Sequence, residues 1–231
     1  TIIIPTNERH EILRRSVDYY KNFDCNILIA DSSLKKMSCD FPDNIIYKHF
    51  PETSFLKKIF ELVKTITTPY VCYSGDDDYL SESGLQEGAH FLDNNLDFSS
   101  VQGRYLKFEL IENQVVFSPR YGPVASCYSA TDENIHSRMA KAYNPYMAQF
   151  ASIHRTNLFA KICRAATDIS SPWMVEFTAL IIPMCYGKHK VLPTLWMVRD
   201  SCKFYRPDCF KKSEPKKSDN FLVYFISGVR Q

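Results

Sequence analysis

Glycine is scarce in this chain, at seven of 231 residues. No Gly-x-Gly-x-x-Gly and no Gly-x-x-x-x-Gly-Lys-Ser/Thr segment occurs. A Rossmann dinucleotide site and a P-loop both bring backbone close to phosphate where only glycine leaves room, so neither is expected. An excess of one charge is also missing. Lys and Arg number 28 against 26 Asp and Glu, a net charge of +2, which argues against a dedicated nucleic-acid binder. No two cysteines are spaced C-x-x-C, and the six histidines form no H-E-x-x-H, so a zinc site is not expected. Long apolar runs are absent too. The most apolar stretch, Phe177 to Tyr186, contains Pro183 and is far too short to span a bilayer.

What is present describes a globular chain. Hydrophobic residues at 45% and charged residues at 23% allow a sizeable core, and an aromatic content of 14% excludes disorder. The length suits one large domain. The cysteines at 25, 39, 72, 127, 163, 185, 202 and 209 therefore need not act as staples. They read as reduced, mostly buried thiols of a cytosolic protein. The chain opens at Thr1 in the middle of a strand-like run, without Met or signal peptide, and reads as an excised piece.

The first half alternates strand and helix. Thr1 to Thr6 is a β-branched run ended at Pro5-Thr6, the pattern of a buried parallel strand. Helical spacing of Ile12, Leu13, Val17 and Tyr20 predicts a helix over 8–21. Strands are predicted at 26–30, 44–48 and 69–73, with helices over 54–65 and from Ser81 through Leu92. The second half predicts strand over 98–110, a hairpin near Glu112-Asn113, and helices over 131–143 and 172–186. The tail from Lys211 to Ser218 is polar and basic. This alternation implies an α/β fold with a parallel sheet covered by helices on both faces. Ligands of such sheets bind at the carboxyl ends of the strands, where Asp31 and Asp76-Asp77-Asp78 both fall.

Three consecutive carboxylates repel one another. Either water screens them in a solvated turn, with Asp78 capping the next helix, or a cation neutralises them. Their place directly after an apolar strand favours the cation, and hard oxygen ligands suit Mn²⁺ or Mg²⁺, ions that in turn hold diphosphates. A calcium loop would put Asp76, Asp78 and Glu87 in register, but Leu80 and Ser81 then replace a ligand and the turn glycine. A phosphatase would want Asp-x-Asp after the first strand, where Pro5-Thr6-Asn7-Glu8 stands, and the Gly- and Arg-rich loop of a nucleotidyltransferase is absent.

Longer stretches carry a resemblance. They are Ile4-Pro5-Thr6-Asn7-Glu8-Arg9, Leu13-Arg14-Arg15, Ile29-Ala30-Asp31-Ser32-Ser33, Lys58-Ile59, Thr68-Pro69-Tyr70-Val71 and Gly75-Asp76-Asp77-Asp78-Tyr79. Phe91-Leu92, Gly103-Arg104-Tyr105, His154-Arg155-Thr156, Glu176, Gly187-Lys188 and Met197-Val198-Arg199 follow in order. The set resembles the GT-A glycosyltransferases of the family 2 type, in particular a bacterial branch found as the glycosyltransferase domain of surface-polysaccharide loci.

The resemblance implies a GT-A nucleotide-diphospho-sugar transferase fold forming one domain over 1–231. Residues 1–100 would be its nucleotide-sugar-binding half, 101–210 its acceptor-side half and 211–231 a basic tail. It implies a metal-dependent glycosyltransferase that moves a sugar from a nucleotide-diphosphate donor to a hydroxyl of a carbohydrate or lipid-linked acceptor. The enzyme would be cytoplasmic or at the inner face of the membrane, with no nucleic-acid partner. Pro5, Thr6 and Glu8 would line the donor pocket. Asp31 would meet the base or ribose, Lys58 would lie near the nucleotide, and Asp76 and Asp77 would face the donor. Asp78, with Asp76, would hold Mn²⁺ or Mg²⁺, and Glu176 would be the general base of an inverting transfer.

Glu176 stands in Trp173-Met174-Val175-Glu176-Phe177-Thr178, an otherwise apolar setting suited to a base, with Asp168 nearby as a second carboxylate. Trp173 and Tyr146 could stack on an acceptor sugar. Asn7-Glu8 stands where many relatives carry an aromatic followed by Asn, which leaves the donor nucleotide open. The Gln-x-x-Arg-Trp motif of processive synthases is absent, so a single transfer is expected. The alternative is a catalytically inactive sugar- or nucleotide-binding module of the same fold.

Overall fold

The structure, a computed structural model, describes residues 1–112, 114–123 and 128–201. The basic tail, Cys127, Cys202 and Cys209 lie outside the described residues. Of the other cysteines, all free thiols, Cys72 and Cys163 are buried, Cys25 and Cys39 are half-buried and Cys185 is exposed, so fewer are buried than the composition suggested.

Nine strands of the described residues form one sheet. At its centre β1 (Ile2–Thr6) and β2 (Ile27–Asp31) are buried at every position, as parallel strands covered on both faces must be. Their register sets Thr6 beside Asp31. β3 (Ile45–His49) flanks β2 and β4 (Tyr70–Tyr73) flanks β1, both parallel. Beyond them β8 (Ile153–Arg155) is antiparallel to both β4 and β6 (Phe98–Ile111), β9 (Lys188–Asp200) is parallel to β6, and β5 (Asp78–Leu80) closes the edge antiparallel to β9. β7 (Gln114–Pro119) forms the expected hairpin with β6. The order across the sheet is β3-β2-β1-β4-β8-β6-β9-β5, with β7 attached to β6. β1 to β4, β6 and β9 share one direction, which makes the sheet mostly parallel.

Alternation of side chains along the strands builds the two covered faces. Ile2, Ile4, Ile27 and Ile29 pack with Leu13 and Tyr20 of α1 (His10–Tyr20) and Leu92 of α3 (Glu82–Asn94). Ile3, Leu28, Ala30 and Val71 turn the other way, onto α2 (Phe55–Val63), α5 (Thr156–Ala166) and α6 (Pro172–Tyr186). α4 (Ile135–Tyr143) begins later than its apolar pattern suggests because Asn134 caps it, accepting from the N–H groups of His136 and Ser137.

β9 is what ties the second half to the acidic turn. It passes so close to α3 and β6 that a Cβ on Gly84 would sit 2.4 Å from the Leu195 carbonyl, and one on Gly103 2.5 Å from that of Thr194. These two glycines admit the bulged strand, and the strand then lays Arg199 opposite Asp78.

A buried polar stripe crosses β8, β6 and β9, where Ser100 pairs with both His154 and His189. Ser100 Oγ lies 2.8 Å from His189 Nδ1, and His154 Nε2 lies 2.9 Å from the Gln149 carbonyl. Burial pushes the two imidazoles down to about 4 (His154) and about 3 (His189), so both fold neutral. A histidine depressed in the folded state takes up its proton more readily when unfolded. Its contribution is therefore complete above pH 6.5 and declines as the pH falls toward the folded value. For each histidine the loss is about 1.4 kcal/mol per pH unit within that window. Denaturant titrations at pH 7.5, 6 and 5 are expected to show His189→Asn losing stability less steeply than the wild type, by about one proton's worth. Equal slopes would show that His189 does not fold neutral.

Candidate active site

The carboxyl ends of β1, β2 and β4 converge on four side chains. Thr6 Oγ1 donates to Asp76 Oδ2 at 2.6 Å. Lys58, in the first turns of α2 and only 2% exposed, donates to the Thr6 carbonyl at 2.5 Å and to Ser32 Oγ at 2.8 Å. Burial pushes its ammonium down to about 8, while Asp31 and Asp76 act to hold it charged. Lys58, which the resemblance sets near the nucleotide, is thus turned inward beneath the strand ends, unlike its exposed neighbour Lys57.

Asp31 is wholly buried and fully engaged. Its Oδ1 accepts from the Ser33 N–H at 2.8 Å and from Ser33 Oγ at 2.5 Å. Its Oδ2 accepts from the Tyr47 hydroxyl at 2.5 Å and faces His10 Nε2 at 2.8 Å. Burial alone would raise this carboxyl, but the hydrogen bonds from Ser33, Tyr47 and His10 together hold it below its ordinary value. Pro5 is buried beside Ala30. Glu8 is exposed in a left-handed conformation (φ 54°), its N–H on Ser33 Oγ and its carboxylate accepting from the Leu34 N–H, each at 2.7 Å. The loop after β1 is thereby stapled to the loop after β2.

The three aspartates are neither a solvated turn nor a helix cap. Asp76 and Asp78 are each 3% exposed, and the cap of α3 is Ser81, which accepts from the Gly84 N–H. Arginines compensate them. Arg9 reaches Asp76 Oδ1 at 3.1 Å and Asp77 Oδ2 at 2.7 Å. Arg199 sets its Nε 3.2 Å from Oδ1 and 3.1 Å from Oδ2 of Asp78. Burial nevertheless pushes both carboxyls up to about 6, against Thr6 and Arg9 at Asp76 and against Arg199 at Asp78. Sequence reading framed the triplet as needing water or a cation, and overlooked internal counter-ions. Arg9 and Arg199 both lay within the matched segments, and β9 supplies the pairing that brings Arg199 home.

Glu176 sits in the second turn of α6 and accepts a hydrogen bond from the Tyr146 hydroxyl. It does not touch the aspartates. Tyr121, whose hydroxyl accepts from the Ala148 N–H, lies within electrostatic reach of both Arg199 and Glu176. Tyr146 therefore holds Glu176 rather than standing free to stack. Trp173, 45% exposed, remains open for a ring contact. Asp168 is exposed in the connection between α5 and α6.

Among the described residues no set of three or more His, Cys, Asp and Glu side chains gathers at metal-binding separation. The chain would supply two carboxylates, Asp76 and Asp78, and no cage. That donor set fits Mg²⁺ or Mn²⁺ held jointly by one or two carboxylates, water and substrate phosphate, rather than a closed all-protein site. Among the same residues no helix is long and apolar enough to cross a membrane.

No protein-family model matches the chain, and no curated protein does. Its fold does match solved structures. A crystal structure of S. aureus TarS 1-349 in complex with UDP-GlcNAc superposes at a TM-score of 0.64 with 13% identity, covering 99% of this chain and 65% of that one. Another of TarS 1-349 gives 0.59 with 15% identity, over 87% and 60%, and one in complex with UDP gives 0.53 with 15% identity, over 86% and 59%. This chain spans under two thirds of the length of those chains. The fold is a mostly parallel α/β arrangement shared with those TarS structures.

Proposed function

We propose that this protein is a glycosyltransferase that moves a sugar from a nucleoside-diphosphate donor to an acceptor hydroxyl, in a single inverting transfer assisted by Mn²⁺ or Mg²⁺. One observation carries the reading. Thr6 links Lys58 and Asp76 by hydrogen bonds at the strand ends, with Asp31 and Asp78 buried beside them, in a fold shared with TarS, which has been solved in complex with UDP-GlcNAc. A family 2 assignment follows from the sequence resemblance and is part of the same proposal, as are a carbohydrate or lipid-linked acceptor and a place in the cytoplasm or at the inner face of the membrane. Uridine diphosphate is the first nucleotide to try.

In this reading the residues divide the work. Pro5, Thr6 and Glu8 shape the floor and rim of the donor pocket, while Asp31 fixes His10, Ser33 and Tyr47 where the nucleoside would lie. Lys58 offsets the negative charge that Asp31, Asp76 and a diphosphate would concentrate in one place. Asp76 and Asp78 would hold the cation, which, when bound, neutralises charge on the departing diphosphate. Glu176 would take the acceptor hydroxyl proton as its oxygen forms the new bond to the anomeric carbon and the bond to the diphosphate breaks. Tyr146 fixes the carboxylate that receives it, and Trp173 offers the acceptor an apolar face.

UDP, GDP and dTDP, each with and without Mn²⁺, test the donor site by thermal shift. A ligand at ~100-fold its dissociation constant stabilises by roughly 2.7 kcal/mol. For a chain of this size that raises the melting temperature by about 5–10 °C. A metal-dependent shift with one of the three is the expected result, and a folded sample that responds to none would sink the reading. Hydrolysis of the matching sugar donor without acceptor then separates a working transferase from an inactive binding module.

A further inference from the structure

Two arginines occupy the carboxylates that the proposed function assigns to a cation, and they are committed differently. Arg9 engages both terminal amino groups, one on Asp76 and one on Asp77. It bridges two elements, the loop after β1 and the turn after β4, and clamps the first two carboxylates at a fixed separation. Arg199 engages only its Nε, which sits almost equally between the two oxygens of Asp78. Among the described residues its terminal amino groups take part in no hydrogen bond or ion pair, and its side chain is 38% exposed against 4% for that of Asp78. The pair therefore consists of a buried carboxylate at the start of β5 and a partly exposed guanidinium opposite it near the end of β9.

The balance of charge at the site gives this pairing a consequence. A divalent ion arriving alone would meet three carboxylates already paired with two guanidinium groups, and would have to compete with those cations for its seat. Such a site attracts a free cation far less than bare carboxylates would. A nucleoside diphosphate reverses the balance. Its oxygens accept from a guanidinium fork as well as a carboxylate does, and often in bidentate fashion. Once the fork has a phosphate partner, Asp78 is released to the cation.

We infer that Arg199 is the exchangeable counter-ion of Asp78, which keeps a divalent cation out until a diphosphate arrives and draws the fork away. Arg9, with both ends committed, is the fixed clamp. Cation and diphosphate thus bind as a linked pair, each strengthening the other. This rests on the donor reading above and adds to it the order in which the site fills.

Binding of Mn²⁺ can be read directly from the electron paramagnetic resonance of the free ion, with and without UDP, independent of any turnover. Wild-type protein is expected to bind Mn²⁺ weakly alone and at least about tenfold more tightly with UDP, within the usual range of coupling between two sites. By reciprocity, UDP should gain the same factor from Mn²⁺ in calorimetry. In Arg199→Gln the ion alone should bind about tenfold more tightly than in the wild type, UDP should bind more weakly, and the coupling factor should shrink toward one.

Wild-type protein that takes up Mn²⁺ equally well with and without UDP overturns the inference, whatever the variants do. So does a folded Arg199→Gln protein whose coupling factor matches the wild type. Failure of every nucleoside diphosphate to bind wild-type protein with Mn²⁺ would instead remove the donor reading itself. Should Arg199→Gln fail to fold, Arg199→Lys replaces it. Lysine keeps the charge but not the fork, and is expected to lower the coupling without raising the affinity for Mn²⁺ alone.

Discussion

Glu176→Gln is expected to lower turnover by ~10²–10⁴-fold, the usual worth of a positioned general base, while the donor and Mn²⁺ bind as before. Glutamine keeps the size of glutamate and can still accept the hydrogen bond that the Tyr146 hydroxyl donates. The fold around α6 should therefore stay intact. What the amide loses is the capacity to accept a proton, a capacity used only as the acceptor hydroxyl attacks. An interaction used only in the transition state shows in kcat rather than in binding.

Asp168→Asn is the control. Asp168 is exposed on the connection between α5 and α6 and should be close to silent. Loss of turnover in Asp168→Asn with full activity in Glu176→Gln would move the base to the other carboxylate. Full activity in both would remove the inverting assignment. Donor hydrolysis is a poor substitute readout here, because water can be activated without this base.

The central strands were legible in the sequence because burial on two faces leaves a plain signature. Ile2 to Ile4 and Ile27 to Ala30 are unbroken apolar runs, and the structure buries each of them. β5, β8 and β9 were not legible, for physical reasons that differ. β5 is three residues long and starts inside the acidic turn, so nothing in Asp78-Tyr79-Leu80 separates it from a loop. β8 is equally short and runs directly into α5. β9 carries Pro193 and pairs with β6 through register shifts, which erase its alternation. α5 did offer a helical pattern in Leu158, Phe159, Ile162 and Cys163, and the short strand before it masked where it starts.

The site follows the same division. Asp31 and the aspartates could be placed because strand ends fix them, whereas the burial of Lys58 on α2 could not. Nor could the partners. Tyr47 meets Asp31 only through the register of β3 with β2, and Arg199 meets Asp78 across 121 positions of sequence. A triplet of acids reads as exposed or metal-bound when its counter-ions are that remote. Burial of Asp76 and Asp78 then destabilises in a way that no local pattern reveals.

Asp78→Asn tests both that burial and the metal. Without the carboxylate, Mn²⁺ should no longer raise the affinity for the donor nucleotide. The coupling factor is expected to fall to about one, a loss of at least tenfold. Stability should not follow it down. The carboxyl is pushed up to about 6 by burial, well above its ordinary value, so the ionised form is disfavoured in the folded protein relative to the unfolded chain. A carboxylate raised in this way weakens the fold at pH values above its folded titration and stops doing so as the acid range protonates it. Near pH 7.5 the penalty amounts to a few kcal/mol, at about 1.4 kcal/mol for each tenfold change in proton affinity. Asparagine removes it while keeping the shape. Against that gain stands Arg199, left without its partner. Its half-exposed fork can turn to water, so the loss is small compared with stranding a buried charge. Denaturant unfolding in metal-free buffer should therefore find Asp78→Asn as stable as the wild type or more so. A variant that instead unfolds, or loses several kcal/mol, would show that the Asp78–Arg199 pair is structural mortar between β5 and β9, and the cation would then have to be sought elsewhere on the strand ends.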